Sequence, residues 1–225
     1  KKYKLKILED ACESLGAIYK GKAVGTTGDI GTFAFYPNKQ MTTGEGGMIV
    51  TNSKEIYELC DSLRNQGRGK SRDWLVHERL GFNYRMDEMS ASLGITQLKK
   101  INFLTNQKKK IASWYNEALK NIPGLSIPTT GPDRTHSYFV YVIRVGSGKR
   151  NILMNGLNKI GIQTKPYLPV IHLQPFMRKL FGFKKGDLPV AEKISGETLA
   201  LPFYIGLTPE DIDYISGKVK RILNG

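Results

Sequence analysis

The stretch GTFAFYPNKQMTTGEGGMIVT, Gly31 to Thr51, decides how the rest of the chain is read. It opens on an apolar, aromatic run, TFAF, and closes on a second apolar run, GMIVT; each is bounded by glycine and has the composition of a short strand. Between them stand a lone lysine, Lys39, and the run Gly44-Glu45-Gly46-Gly47. A lysine after an apolar strand is ordinarily a surface residue. Here it follows Phe33, Phe35 and Tyr36, which can supply a low-dielectric wall, and an amine desolvated in that way becomes a nucleophile toward carbonyls. The glycines beyond it let backbone pass close to a flat ligand.

Upstream, KLKILED reads as a strand ending in two carboxylates, the second of which is Asp10. The carboxyl ends of strands are where open α/β sheets meet ligands, although capping a helix is the commoner fate of such an aspartate. Taken together, Lys39 and Asp10 suggest a Schiff-base lysine and the acid that keeps a pyridinium nitrogen protonated, which is the pair a pyridoxal-phosphate enzyme uses.

Strand and helix signals alternate downstream. Ser53 reads as the N-cap of a helix from Lys54 to Asn65, with Ile56, Leu59 and Leu63 on one face, while Met86, Met89, Leu93 and Leu98 suggest another helix. A longer amphipathic helix runs from about Asn102 to Lys120 and stops at the IPG turn around Pro123. Then come a strong strand, SYFVYVIRV, a helix near Asn151 to Ile160, a short strand in IQTKPY and a final helix from Pro209 toward Leu223. The order implies an α/β layer followed by a smaller α+β part, with no internal repeat.

Composition limits the partners. The 34 basic and 20 acidic residues give a net charge of +14, a field that attracts anions. The basic residues are scattered, without a zinc-finger spacing or an aromatic-interleaved basic strip, so specific nucleic-acid binding is not expected. A phosphorylated small molecule fits the charge better. No apolar run approaches the length of a membrane span, and no membrane association is expected. Cys12 and Cys60 are too few for a disulfide framework and lack metal-ligand spacing, and no signal-peptide pattern follows Lys1, so the expected compartment is the cytoplasm. His77 and His136 have no partner at metal-binding spacing, and no metal is expected. GTTGDIG and QGRGKSR match neither a dinucleotide nor a P-loop fingerprint and read as a turn and a loop.

The blocks EDACESLGA, FAFYPNKQMTTGEGGMIVT, GFNYRMDEMSASLGITQL, PVIHLQPF and LALPFYIGLT, in this order, resemble the DegT/StrS sugar aminotransferases, which are fold-type I pyridoxal-phosphate enzymes. The resemblance covers nearly the whole chain. It implies a partial three-layer αβα large domain over residues 1–105 and a smaller α+β domain over 106–225. It also places several large-domain strands and the turn that holds the cofactor phosphate ahead of Lys1, so the chain is expected to be a fragment and to hold no ordered cofactor alone.

By the same resemblance, Lys39 is the Schiff-base lysine and Asp10 the partner of the pyridine nitrogen. Glu13 stands where many relatives have a glutamine against the cofactor ring. Ala34 replaces a serine that bonds the cofactor phosphate and has no hydroxyl to donate. Asn83 matches an asparagine that crosses the interface of a homodimer to the neighbour's phosphate. The implied reaction moves an amino group from glutamate to a keto sugar carried on a nucleoside diphosphate. Arg85, Tyr167 and His172 are candidate substrate contacts, against the alternatives of a helix-start ion pair, a structural tyrosine and a hydrogen-bonded histidine. Two other readings use the same residues: a regulatory or binding relative that has lost the chemistry, and an inactive fragment of the enzyme.

Overall fold

The computed structural model describes residues 2–71, 74–146 and 148–224. They form two compact units, one of Lys1–Asn106 with Thr130–Phe139 and the other of Gln107–Thr129 with Val140–Gly225. The segment Thr130–Phe139, expected from the sequence in the second domain, packs with the first because its short strand Arg134–Thr135 pairs there.

In the first unit, β1 (Leu8–Asp10) runs parallel to β4 (Ile30–Ala34), which runs antiparallel to β5 (Gly47–Val50). A parallel pair needs a crossover, and residues 11–29 supply it. They include a hairpin of β2 (Ile18–Tyr19) and β3 (Lys22–Ala23), whose two turn residues, Lys20 and Gly21, both have positive φ, at 48° and 77°. This is the backbone that a two-residue hairpin demands. The strand β7 (Arg134–Thr135) adds to β2 and completes a second three-stranded sheet.

Three strands expected around Lys39 are therefore present: β1 keeps only the end of KLKILED, β4 begins two residues before TFAF and stops at Ala34, and β5 stops at Val50. The helix α1 (Lys54–Arg64) starts where its cap predicts: Ser53 Oγ accepts a hydrogen bond from the Ile56 N–H at 3.3 Å. The helix α2 (Glu88–Lys99) starts at Asp87, which caps Ser90 N at 2.9 Å. Most of its apolar side chains are exposed. Met89 is 84% exposed, Leu93 and Leu98 are exposed as well, and the buried residue is Gly94, where a Cβ would meet the Thr43 methyl at 2.9 Å. The residues of α3 (Ile101–Leu119) are divided between the units.

The second unit is built on an antiparallel sheet ordered β6 (Leu125–Ser126), β8 (Tyr141–Val145), β10 (Thr198–Leu201), β9 (Lys165–Pro166). Tyr141, Ile143 and Val145 alternate inward along β8, the period of a strand with one buried face. The expected nine-residue strand is halved because Tyr138 has a φ of 50°, which breaks the extended run, and the residues before it belong to the first unit. The core is completed by Leu153 and Leu157 of α4 (Arg150–Lys159) and by Ile212, Ile215, Val219 and Leu223 of α7 (Pro209–Asn224). Beside them lie a 3-10 turn (Ile171–Leu173), α5 (Pro175–Phe181) and α6 (Pro189–Glu197).

Candidate active site

The two carboxylates at the end of β1 have different work. Glu9 accepts from the N–H groups of Gly28, Gly25 and Thr27, which hold its carboxyl below the usual carboxylate range and close the GTTG turn around it. It is a structural anchor. Asp10 points out of the opposite face of the strand and is exposed. Its Oδ1 accepts from the Cys12 N–H at 3.1 Å. The Cys12 thiol and N–H, and beyond them the charge of Lys39, hold the Asp10 carboxyl below the usual range, so it is ionised at neutral pH. Burial and the neighbouring Asp10 push the Cys12 thiol up.

Lys39 sits in the loop that joins β4 to β5. The loop is closed at its base by Phe35 N to Gly46 O at 2.9 Å and Thr43 N to Phe35 O at 3.0 Å, and its turn by Lys39 N to Tyr36 O at 2.9 Å. Gly46, at φ 155°, is required: a Cβ there would lie 2.4 Å from Thr43 Oγ1. The glycines thus close the lysine loop.

The Lys39 side chain is 15% exposed, and its Nζ lies 3.1 Å from Glu13 Oε1 and 4.3 Å from the centroid of the Phe139 ring. The aromatic face beneath the amine therefore comes from Phe139, not from the wall of Phe33, Phe35 and Tyr36 that the sequence suggests. Phe35 is buried in the core, and Tyr36 is half exposed. Gln40, the residue after the lysine, donates from Nε2 to Glu13 O at 2.6 Å and to Ser137 Oγ at 3.1 Å. Gln40, Ser137 and Phe139 were not singled out by sequence reasoning; a contact between residues 97 positions apart leaves no local signal.

The structure thus brings Asp10, Glu13 and Lys39 together. Ala34, at the end of β4, presents only a methyl group. Asn83 and Arg85 lie elsewhere in the same unit, at the end of α1. Asn83 forms an antiparallel bridge with Asn65 and is exposed, and Arg85 Nη1 donates to Asn65 Oδ1 at 2.9 Å rather than to the start of α2. Tyr167 and His172 belong to the second unit, where both line an open apolar groove of about 760 Å³. His172 is buried, with Nε2 at 3.0 Å from Glu192 Oε1 and its ring edge-on to Phe183.

A primary amine and an exposed, ionised carboxylate at the carboxyl end of one sheet can hold a ligand that carries a carbonyl at one end and a basic ring nitrogen at the other. A family model, the DegT/DnrJ/EryC1/StrS aminotransferase family, matches residues 1–220. The chain belongs to this family. It is 33% identical to the GDP-perosamine synthase of Caulobacter vibrioides over 99% of its own length and 60% of that protein. Among solved structures, S. venezuelae DesV in complex with a ketimine intermediate superposes with a TM-score of 0.91 at 31% identity, covering 100% of this chain and 59% of the other. Spr1654 of Streptococcus pneumoniae in its PLP-form superposes with a TM-score of 0.90 at 25% identity, covering 97% of this chain and 58% of the other. The chain spans about 60% of the length of the relatives it matches. The mixed α/β architecture is that of this family.

Proposed function

We propose that the protein takes part in pyridoxal-phosphate-dependent amino transfer from glutamate to a keto sugar carried on a nucleoside diphosphate. The observation that carries this reading is a nearly buried lysine amine, ion-paired to Glu13, whose charge reaches an exposed, ionised aspartate at the end of β1, in a chain of an aminotransferase family. The residues fit the cofactor at two of its ends: Lys39 Nζ would hold the aldehyde carbon and Asp10 the ring nitrogen. Ala34 offers nothing to the phosphate. The bound cofactor supplies an electron sink for the carbanion of amino transfer.

The chain's own groups supply the rest. Asp10, ionised, accepts a hydrogen bond from a protonated ring nitrogen and stabilises its charge. Lys39, once displaced by an incoming amine, is the base that takes and returns a proton at Nζ. Glu13 and the Phe139 ring confine that amine from two sides. Asn83, exposed at the end of α1, is assigned to the cofactor phosphate of a second copy in a homodimer. Arg85, Tyr167 and His172 are assigned to the substrate side, where His172, buried against Glu192, shapes the groove rather than reacting. The net charge of +14 suits a diphosphate-bearing substrate.

The test is a half-reaction. The full-length protein, loaded with pyridoxal phosphate and given L-glutamate alone, should release 2-oxoglutarate in an amount equal to the protein, and Lys39→Ala should release none. Equal release by Lys39→Ala would reject the proposal.

A further inference from the structure

The contact beneath Lys39 is made by a segment that no motif marks. Thr130–Phe139 crosses the first unit as a strap. One end is fixed by β7 on β2, with Ile18 N donating to Thr135 Oγ1 at 3.2 Å and Lys20 N to Asp133 O at 2.7 Å. The other end is fixed by Gln40, which is itself buried. Its Nε2 bonds both the Glu13 carbonyl and the hydroxyl of Ser137, a residue almost wholly enclosed. One amide therefore ties together the loop after β1, the lysine loop and the strap, and two residues beyond Ser137 the Phe139 ring lies under the lysine amine.

We propose that Phe139, seated by the Gln40–Ser137 bond, is a positioning residue that holds Lys39 Nζ at one place beside Glu13. The inference rests on the reading of Lys39 as the reactive amine. A lysine side chain has four rotatable bonds and, unconstrained, spreads its amine over many positions. The ring face attracts the ammonium through its quadrupole and closes one side, while the Glu13 carboxylate attracts it from another. A small reagent that reacts from any direction is hindered by this confinement. A reaction that needs one geometry gains from it.

The opposite signs make the test. In cofactor-free protein, limited acetylation with acetic anhydride is read at each lysine by peptide mass spectrometry. In a second series, the rate at which pyridoxal phosphate with borohydride labels Lys39 is recorded. In Phe139→Leu and in Gln40→Ala, acetylation of Lys39 should rise about threefold to tenfold relative to the other lysines, while cofactor labelling slows by a similar factor. Phe139→Trp, which keeps an aromatic face, should return both rates toward those of the native protein. Unchanged rates in Phe139→Leu and Gln40→Ala would overturn the proposal. So would acetylation that rises at all lysines alike, because Phe139 would then be core and nothing more. Acetylation needs no cofactor, so a native protein whose Lys39 never takes up pyridoxal phosphate would reject the proposed function while the acetylation comparison still decides the positioning.

Discussion

Lys39 Nζ and Glu13 Oε1 lie 3.1 Å apart, with 15% of the lysine side chain and 49% of the glutamate side chain exposed. A pair so open on one side is screened by water and contributes at most about 1 kcal/mol to stability. Glu13→Gln keeps an oxygen acceptor at the same place and removes the charge. It should change the unfolding free energy by less than about 1 kcal/mol in urea titrations and retain amino transfer. A large loss of activity would show that the charge of Glu13, and not only its presence beside the amine, is needed.

Asp10→Asn isolates charge from shape. Asp10 is exposed at the strand end, so the substitution should leave the melting temperature nearly unchanged and severely reduce amino transfer. The native carboxyl is depressed by Cys12 and Lys39, so Asp10 stays ionised, and able to accept from a protonated ring nitrogen, until pH falls through the lowered value. A pH profile with an inflection at an ordinary Asp pKa of about 4 would contradict this assignment.

How much of this was legible follows from distance along the chain. The helix α1 could be read from Ser53 and its apolar face, and α7 from Pro209, because caps and periodicity are local. Asp10 could be singled out because it ends a short strand, and Lys39 because it follows one, between aromatic residues and a glycine run. The exposure of Met89 and Leu93 could not, since periodicity identifies an apolar face without saying what covers it. Nor could the Phe139 contact. SYFVYVIRV reads as one strand until Tyr138 is seen with a positive φ, and the bond from Gln40 to Ser137 joins two segments of no mutual pattern.

Glu9 gives a stability prediction with a defined sign. Its carboxyl is lowered by the N–H groups of Gly28, Gly25 and Thr27, so its stabilising effect is complete above the pKa of the unfolded chain and is lost as pH falls through the lower folded value. Glu9→Gln should destabilise the protein by about 1–2 kcal/mol at pH 7 in chemical denaturation, with the difference from native shrinking in acid. A difference that grows in acid would contradict the assignment.

Tyr115 should anchor the second unit's core. It is fully buried, stacks on Tyr141 at 4.7 Å between centroids and donates its hydroxyl to Pro202 O at 2.8 Å. Tyr115→Phe removes only the hydrogen bond and should cost about 1 kcal/mol, whereas Tyr115→Ala opens a cavity and should cost about 3–5 kcal/mol. Thermal unfolding of the two variants checks the ratio.

If Lys39 is the amine that carries the cofactor, covalent trapping will find the cofactor there. The full-length protein is equilibrated with pyridoxal phosphate, reduced with borohydride and digested, and the labelled peptide is identified by mass spectrometry. One cofactor per chain on the peptide containing Lys39, absent from Lys39→Ala, is the predicted result. Label on another lysine, or equal labelling of Lys39→Ala, would contradict the account.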